Sequence, residues 1–388
     1  MTAIPSRAQL GYAFEWPGCH PATASRSPPA RPRNPGYGTG GGHRRARPLA
    51  NGEVLNLKID VHGHVTAPDS LYVYKAGLVS HRGAHGRGDA ALTAEAANAA
   101  LDAPSRSFGG ISHRQHLDNA GVDYQLISPR PYQMMHSESP AKIVGWFAEE
   151  TNKAIALSCE VEPRFKGVAG LPQTMETSPA TWMNELRRCV TEYGFVGAMI
   201  NPDPYEGLQQ PPALGERFWY PVWEALCELD VPALIHSAGC RPPARETYSL
   251  HFIQEETLAV TGLLQSSVFK DFPDLKVIVS HGGGAVPYQR GRFHPGAFRQ
   301  DTTYREILRN LYYDTCLYTQ DSIELLIRAV GADRCLFGTE KPGTGSVKDP
   351  ATGRWVDDIH LLIDDIEWLD ETSRDQIFAG NAQQLFKL

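Results

Sequence analysis

The sequence predicts an α/β fold: a (β/α)8 TIM barrel behind a disordered N-terminal extension. Three observations carry this. From Leu57 onward, short β-like runs alternate eight times with longer helix-like segments, the rhythm of a chain winding strand, helix, strand. Several runs are almost continuously apolar, as parallel strands covered on both faces must be. No G-x-G-x-x-G follows the first run, which disfavours the rival doubly wound open sheet.

Residues 1–52 are rich in Pro, Gly, Ser and Arg, and such a segment buries too little apolar surface to offset its ordering entropy. They read as a disordered extension, with the barrel over 53–388. The extension is Arg-rich and acid-poor like a transit peptide but lacks an amphipathic helix, so an upstream start codon is the other reading; it has no secretory h-region. The expected strands are Leu57–Val65, Tyr124–Pro129, Gly167–Leu171, Val196–Asn201, Ala233–Ser237, Val277–His281, Leu311–Leu317 and Cys335–Thr339. Helical patterns cover 137–160, 178–193, Phe218–Leu229, 253–271 and 320–330, then Asp357–Leu369, entered by an Asp-rich turn, and Ser373–Phe386.

With 388 residues, 41% of them hydrophobic and 21% charged, the chain has the composition of a soluble globular enzyme with one large core. Residues 1–50 hold seven Arg, no Lys and one acidic residue, so residues 51–388 carry a net charge of −13. That excludes a basic stripe for nucleic acid, and an anionic small substrate must be met by a few local Arg or Lys. No apolar run approaches the roughly 18–20 residues that span a bilayer, so no membrane association is expected. The cysteines (19, 159, 189, 227, 240, 316 and 335) have no C-x-x-C spacing and read as reduced thiols of a cytoplasmic protein.

The chemistry collects at strand ends. In Asp60-Val61-His62-Gly63-His64 the period of two puts His62 and His64 on one face, half of a site for a divalent ion. The fifth strand ends in His236, the sixth in Ser280-His281-Gly282-Gly283-Gly284, and the eighth runs through Gly338-Thr339 into Glu340. All four ends belong to the C-terminal face, where barrels of this class place their active sites.

In these motifs the chain resembles the amidohydrolase superfamily, in the branch of aromatic-acid decarboxylases and 4-oxalomesaconate hydratases, with the stronger likeness to the hydratases. The resemblance spans residues 57–388. It is supported by Asn201-Pro202-Asp203-Pro204, Phe218-Trp219-Tyr220-Pro221, Phe269-Lys270-Asp271-Phe272-Pro273, Gly284-Ala285-Val286-Pro287-Tyr288, Gly291-Arg292-Phe293 and Gly380-Asn381-Ala382. Most members end the eighth strand in Asp, whereas the hydratases have Glu there, as here; the extra methylene moves the carboxylate by about 1.5 Å. Lys341-Pro342 departs from the hydratase pattern and leaves the substrate open.

The resemblance implies one ion, because the fourth strand, Phe195–Asn201, lacks the lysine that bridges two metals in binuclear members. Its implied ligands are His62, His64, His236 and Glu340. Zinc suits that set, and manganese or cobalt would be accepted. Asp60 shares the face of His62 and is a candidate partner orienting a ligand. His281, expected too far along the rim to be a needed ligand, and Glu340 are the implied acid/base groups. Arg292 matches a family arginine; Arg290 and Arg130 stand near it in the expected fold, and all three are candidates to grip substrate carboxylates. Asn201, Tyr288 and His251 are further mouth candidates, while His81, His85, His113 and His116 read as solvated.

The implied activity is a zinc-dependent hydro-lyase acting on 4-oxalomesaconate or a similar unsaturated polycarboxylate of aromatic catabolism. A decarboxylase of hydroxybenzoate-type acids is the alternative, followed by a hydrolase, and by a non-catalytic metal-binding barrel as the reading of a different class. A homo-oligomer is expected; Trp219, Tyr220 and Trp223 either form such a contact or pack the core.

Overall fold

Each of the eight expected strands is present, and each pairs in parallel with the next. In this computed structural model, residues 57–241, 248–299 and 301–388 are described; the expected extension over 1–52 lies outside them. Strands β1 (Ile59–His64), β2 (Tyr124–Ser128), β3 (Phe165–Gly170), β4 (Gly197–Ile200), β5 (Ala233–Ile235), β6 (Val277–Val279), β7 (Tyr312–Asp314) and β8 (Cys335–Leu336) follow one another in sheet order. The sheet then returns on itself: Val61 N donates to Phe337 O at 2.9 Å and Glu340 N to His62 O at 2.7 Å. These two bonds join β8 to β1 and complete the barrel.

Strands β5 to β8 are shorter than the apolar runs suggested. Their last residues leave the ladder to form the site, so His236, His281 and Glu340 lie just beyond strand ends. The β1–β2 register shifts between Asp60 and Gly63, an irregularity that re-aims the loaded end of β1.

Between β1 and β2 stand three helices without a sequence expectation: α1 (Asp69–His81), α2 (Ala94–Asp102) and α3 (His113–Ala120). In α1 the apolar residues scatter around the helix, Leu71 and Leu78 buried and Val73 71% exposed, so no stripe announced it. Helices α4 (Ala141–Val161), α5 (Pro179–Tyr193) and α6 (Tyr220–Leu229) fall close to their expected spans. The segment expected over 253–271 is two helices, α7 (Tyr248–Leu264) and α8 (Val268–Asp271). After β6 come α9 (Val286–Phe298), unforeseen because it holds two glycines and Pro295, and α10 (Tyr304–Leu308). Helix α11 (Gln320–Val330) starts at a Thr319 cap whose hydroxyl accepts from Ser322 N. The chain closes with α12 (Ile359–Asp364), α13 (Glu371–Asp375) and α14 (Asn381–Phe386).

The core lies between barrel and helices. Trp182, Trp219 and Trp223 are fully buried, with ring centroids 5.9 Å apart for the first pair and 6.3 Å for the second. Each apolar side chain so buried contributes roughly 1.5–3 kcal/mol. Trp219 and Trp223 are therefore core residues, not an oligomer contact. Cys159, Cys189, Cys227, Cys316 and Cys335 are in no disulfide; Cys19 lies outside the described residues. Among those residues no helix is long and apolar enough to cross a membrane.

Candidate active site

The strand ends converge. His62, His64, His236 and Glu340, all buried, each offer one ligand atom, and these atoms lie within 4.8 Å of one another. Ring centroids are 5.2 Å apart for His62 and His64, 5.0 Å for His62 and His236, and 5.1 Å for His64 and His236.

Each imidazole is held from behind. Nδ1 of His62 meets Asp314 Oδ2 at 2.7 Å, Nδ1 of His64 meets Pro129 O at 2.9 Å and Ser128 Oγ at 2.9 Å, and Nδ1 of His236 meets Ser237 O at 2.7 Å. Acceptors at Nδ1 favour the tautomer that carries its lone pair on Nε2. The Nε2 atoms of His62 and His236 are buried and have no hydrogen-bond partner, a costly state unless something binds there. Nε2 of His64 lies 3.9 Å from Glu340 Oε1. Three inward lone pairs and a carboxylate oxygen form a donor set that fits a divalent cation.

The electrostatics agree for two of the three imidazoles. Burial, and then the charge of neighbouring histidines, holds His64 and His236 well below the usual histidine range, so both are neutral as ligation requires. For His62 burial acts downward too, but the Asp314 carboxylate outweighs it and the net shift is upward.

Asp60 does not orient a ligand imidazole. Its carboxylate accepts from Gln125 Nε2 (2.8 Å), Thr339 Oγ1 (2.6 Å), Thr339 N (3.0 Å) and His62 N (3.0 Å). It pins the β8 end to β1, and the orienting role falls to Asp314. His281 is nearer than expected: its ring centroid is 5.1 Å from that of His62 and 5.0 Å from that of His236. Its Nδ1 lies 2.9 Å from both Glu256 oxygens. Burial pushes His281 down, yet Glu256, with Glu340 and Asp314, raises it to about 10.

A cavity of about 270 Å³ opens over this cluster, lined by His64, His236 and Glu340 together with Arg130, Phe108 and Thr344. The buried Arg130 guanidinium sits 4.6 Å from the Phe108 ring centroid and donates to Pro342 O at 3.2 Å. The other candidates lie elsewhere. Arg290, Arg292 and Tyr288 belong to α9; Arg292 and Tyr288 are exposed, Arg290 is half-buried, and none lines this cavity. Asn201 is consumed by its own turn, its Nδ2 donating to Asp203 O at 2.8 Å and its Oδ1 accepting from Asp203 N at 3.1 Å. His251 is buried beside Asp203 and Glu255. His113 and His116 are buried, not solvated: His113 bridges Thr66 Oγ1 (2.9 Å) and Gln125 Oε1 (2.8 Å), and His116 Nε2 meets Phe108 O at 2.9 Å.

The amidohydrolase family model matches residues 59–388, nearly all of the described chain. The chain belongs to the amidohydrolase family. It is similar to 2-keto-4-carboxy-3-hexenedioate hydratase of Sphingobium sp., 40% identical over 274 residues, which are 70% of this chain and 80% of that protein. The crystal structure of 4-oxalomesaconate hydratase from Rhodopseudomonas palustris superposes with a TM-score of 0.75 at 30% identity, covering 85% of this chain and 96% of that one. Dihydroxybenzoic acid decarboxylase from Polaromonas sp. JS666, solved with bound manganese and the inhibitor 2-nitroresorcinol, gives a TM-score of 0.63 at 25% identity, covering 86% and 98%.

In this amidohydrolase several functional neighbours had gone unread in the sequence. Asp314 ends β7, as His64 ends β1, so its position was itself a signal. Glu256 is fully buried on α7 beside Glu255, and the polar run Gln254-Glu255-Glu256-Thr257 gives no local sign of which carboxylate faces the site. Lys341, 1% exposed, pairs through Nζ with Asp357 Oδ1 at 3.2 Å and with Asp358, tying the β8 end to the approach to α12. No periodicity could reveal that contact.

Proposed function

We propose that this amidohydrolase is a metal-dependent hydro-lyase that adds water across the C=C bond of 4-oxalomesaconate or a similar unsaturated polycarboxylate. The observation that carries the reading is the convergence of His62, His64, His236 and Glu340, with two buried imidazole Nε2 atoms left without a partner. Likeness to two hydratases, at 40% and 30% identity, supports hydration. Zinc is the ion the donor set suits best, with manganese or cobalt acceptable. When bound, such an ion supplies Lewis acidity, bringing the pKa of water toward about 7.

The chain's own groups divide the remaining work. Arg130 at the cavity wall grips a substrate carboxylate, with Phe108 keeping its guanidinium flat. Glu340 receives the proton released as water adds. His281, charged because Glu256 stands behind it, delivers a proton to the substrate carbon or enolate oxygen. The free thiols suit a reducing cytoplasm.

The test uses purified full-length protein loaded with zinc and mixed with 4-oxalomesaconate. A fall in substrate absorbance that chelator abolishes is expected; unchanged absorbance rejects the reading. A second reading, decarboxylation of a hydroxybenzoate-type acid, draws on the likeness to a decarboxylase. CO2 released from such acids, with 4-oxalomesaconate untouched, would select it.

A further inference from the structure

The two oxygens of Glu340 face different partners. Oε1 lies 3.9 Å from His64 Nε2, on the side of the ligand imidazoles, while Oε2 accepts from the Tyr318 hydroxyl at 2.5 Å. We propose that Tyr318 is a positioning residue for Glu340, its hydroxyl retaining Oε2 so that Oε1 alone is offered to the ion. This rests on the reading of Glu340 as a metal ligand.

The surroundings make the division a built one. Glu340 is fixed at its backbone, N donating to His62 O at 2.7 Å and φ at 61°, in the left-handed region that a non-glycine residue adopts only under constraint. Behind it, a Cβ on Gly343 would meet Glu340 Cγ at 2.8 Å and Glu340 O at 2.2 Å, so only a glycine there leaves Glu340 room to sit as it does. Tyr318 is confined as well. Its φ is 58°, the next residue caps α11, and its ring packs so tightly on Gly345 that a Cβ there would fall 2.6 Å from Cε1.

Glutamate needs such a restraint more than aspartate does. The added methylene gives one more torsion, through which a carboxylate can swing away or chelate with both oxygens. A charge-assisted bond from a phenol removes that freedom. It also keeps the second oxygen from competing with water for the ion. The restraint comes from the loop after β7, the strand whose Asp314 orients His62, so one loop region sets two of the four ligands.

The test is Tyr318→Phe, which deletes one oxygen and leaves the ring. Zinc affinity, read by chelator competition, is expected to fall about tenfold or more, with kcat falling by at least a similar factor and KM holding within about twofold. Circular dichroism and the melting point of the apoprotein should match wild type. A Tyr318→Phe protein with wild-type zinc affinity and kcat overturns the proposal. Glu340→Asp withdraws the carboxylate from the hydroxyl, so on that background Tyr318→Phe should change zinc affinity by less than about twofold. Independent, multiplying effects of the two substitutions would equally overturn it. A wild-type protein that takes up no zinc fails earlier, and overturns the four-ligand reading itself.

Discussion

Nδ1 of His62 lies 2.7 Å from Oδ2 of Asp314, so a candidate ligand on the first strand is aimed by a carboxylate from the seventh. The other oxygen of Asp314 accepts from Gly282 N (3.2 Å) and Cys316 N (3.1 Å), which ties the turn carrying His281 to the same group. Asp314→Asn keeps the shape and removes the charge that holds the His62 proton on Nδ1. Zinc affinity should fall about 10–100-fold, measured by chelator competition, with the circular dichroism spectrum unchanged.

Arg130 and Arg292 answer different questions. Arg130 is buried at the cavity wall, whereas Arg292 is exposed on α9. Arg130→Ala should raise KM for the carboxylate substrate by about tenfold or more, and Arg130→Lys should recover only part, since a point ammonium cannot fork. Arg292→Ala should change KM by less than about twofold. Steady-state kinetics on the three variants decide it.

Gly63 sits between the two histidines of β1 for want of room. A Cβ there would lie 2.5 Å from Gln125 Cδ and 2.7 Å from its Cγ. Gln125 has no room to yield, because its amide bonds Asp60 Oδ2 at 2.8 Å and Lys341 O at 2.7 Å. Gly63→Ala should destabilise the fold by roughly 1–3 kcal/mol, seen as a lower denaturant midpoint.

Glu162 links stability to acid. Burial acts to raise its pKa, but bonds from Arg164 (2.9 and 3.0 Å) and Arg114 (3.0 Å) overcome that and bring it to about 2. A depressed carboxyl stabilises the fold above its unfolded pKa, about 4.5, and that contribution disappears as pH falls through about 2. Allowing for solvent screening of its arginine partners, Glu162→Gln should therefore be less stable than wild type by about 2 kcal/mol at pH 7. The gap should narrow between pH 4.5 and 2. Urea melts at several pH values test this, and a gap independent of pH would count against it.

Strands and candidate ligands were legible for one reason. A parallel strand buried on both faces must be apolar along its length, so a histidine or glutamate at its end stands out by contrast: His62, His64, His236 and Glu340 were all visible this way. Their supports were not. Asp314 meets His62 across 252 residues, and Tyr318 meets Glu340 across 22. Such distances are set by barrel closure and loop path, which no local pattern encodes. Asp60 shows the opposite error: sharing the face of His62 suggested a role toward the ligand, but Thr339 and Gln125 reach its oxygens first. Arg292 and Tyr288 follow the sixth strand closely in sequence, yet α9 carries both out to the surface.

The bond from Glu340 N to His62 O joins positions 278 residues apart, separated by almost the entire barrel. Any polypeptide that stops before residue 340 thus lacks both the last candidate ligand and the suture that shuts the cylinder. A partly synthesised or truncated molecule has three of the proposed imidazoles at most, so under the four-ligand reading tight capture of an ion requires the finished chain.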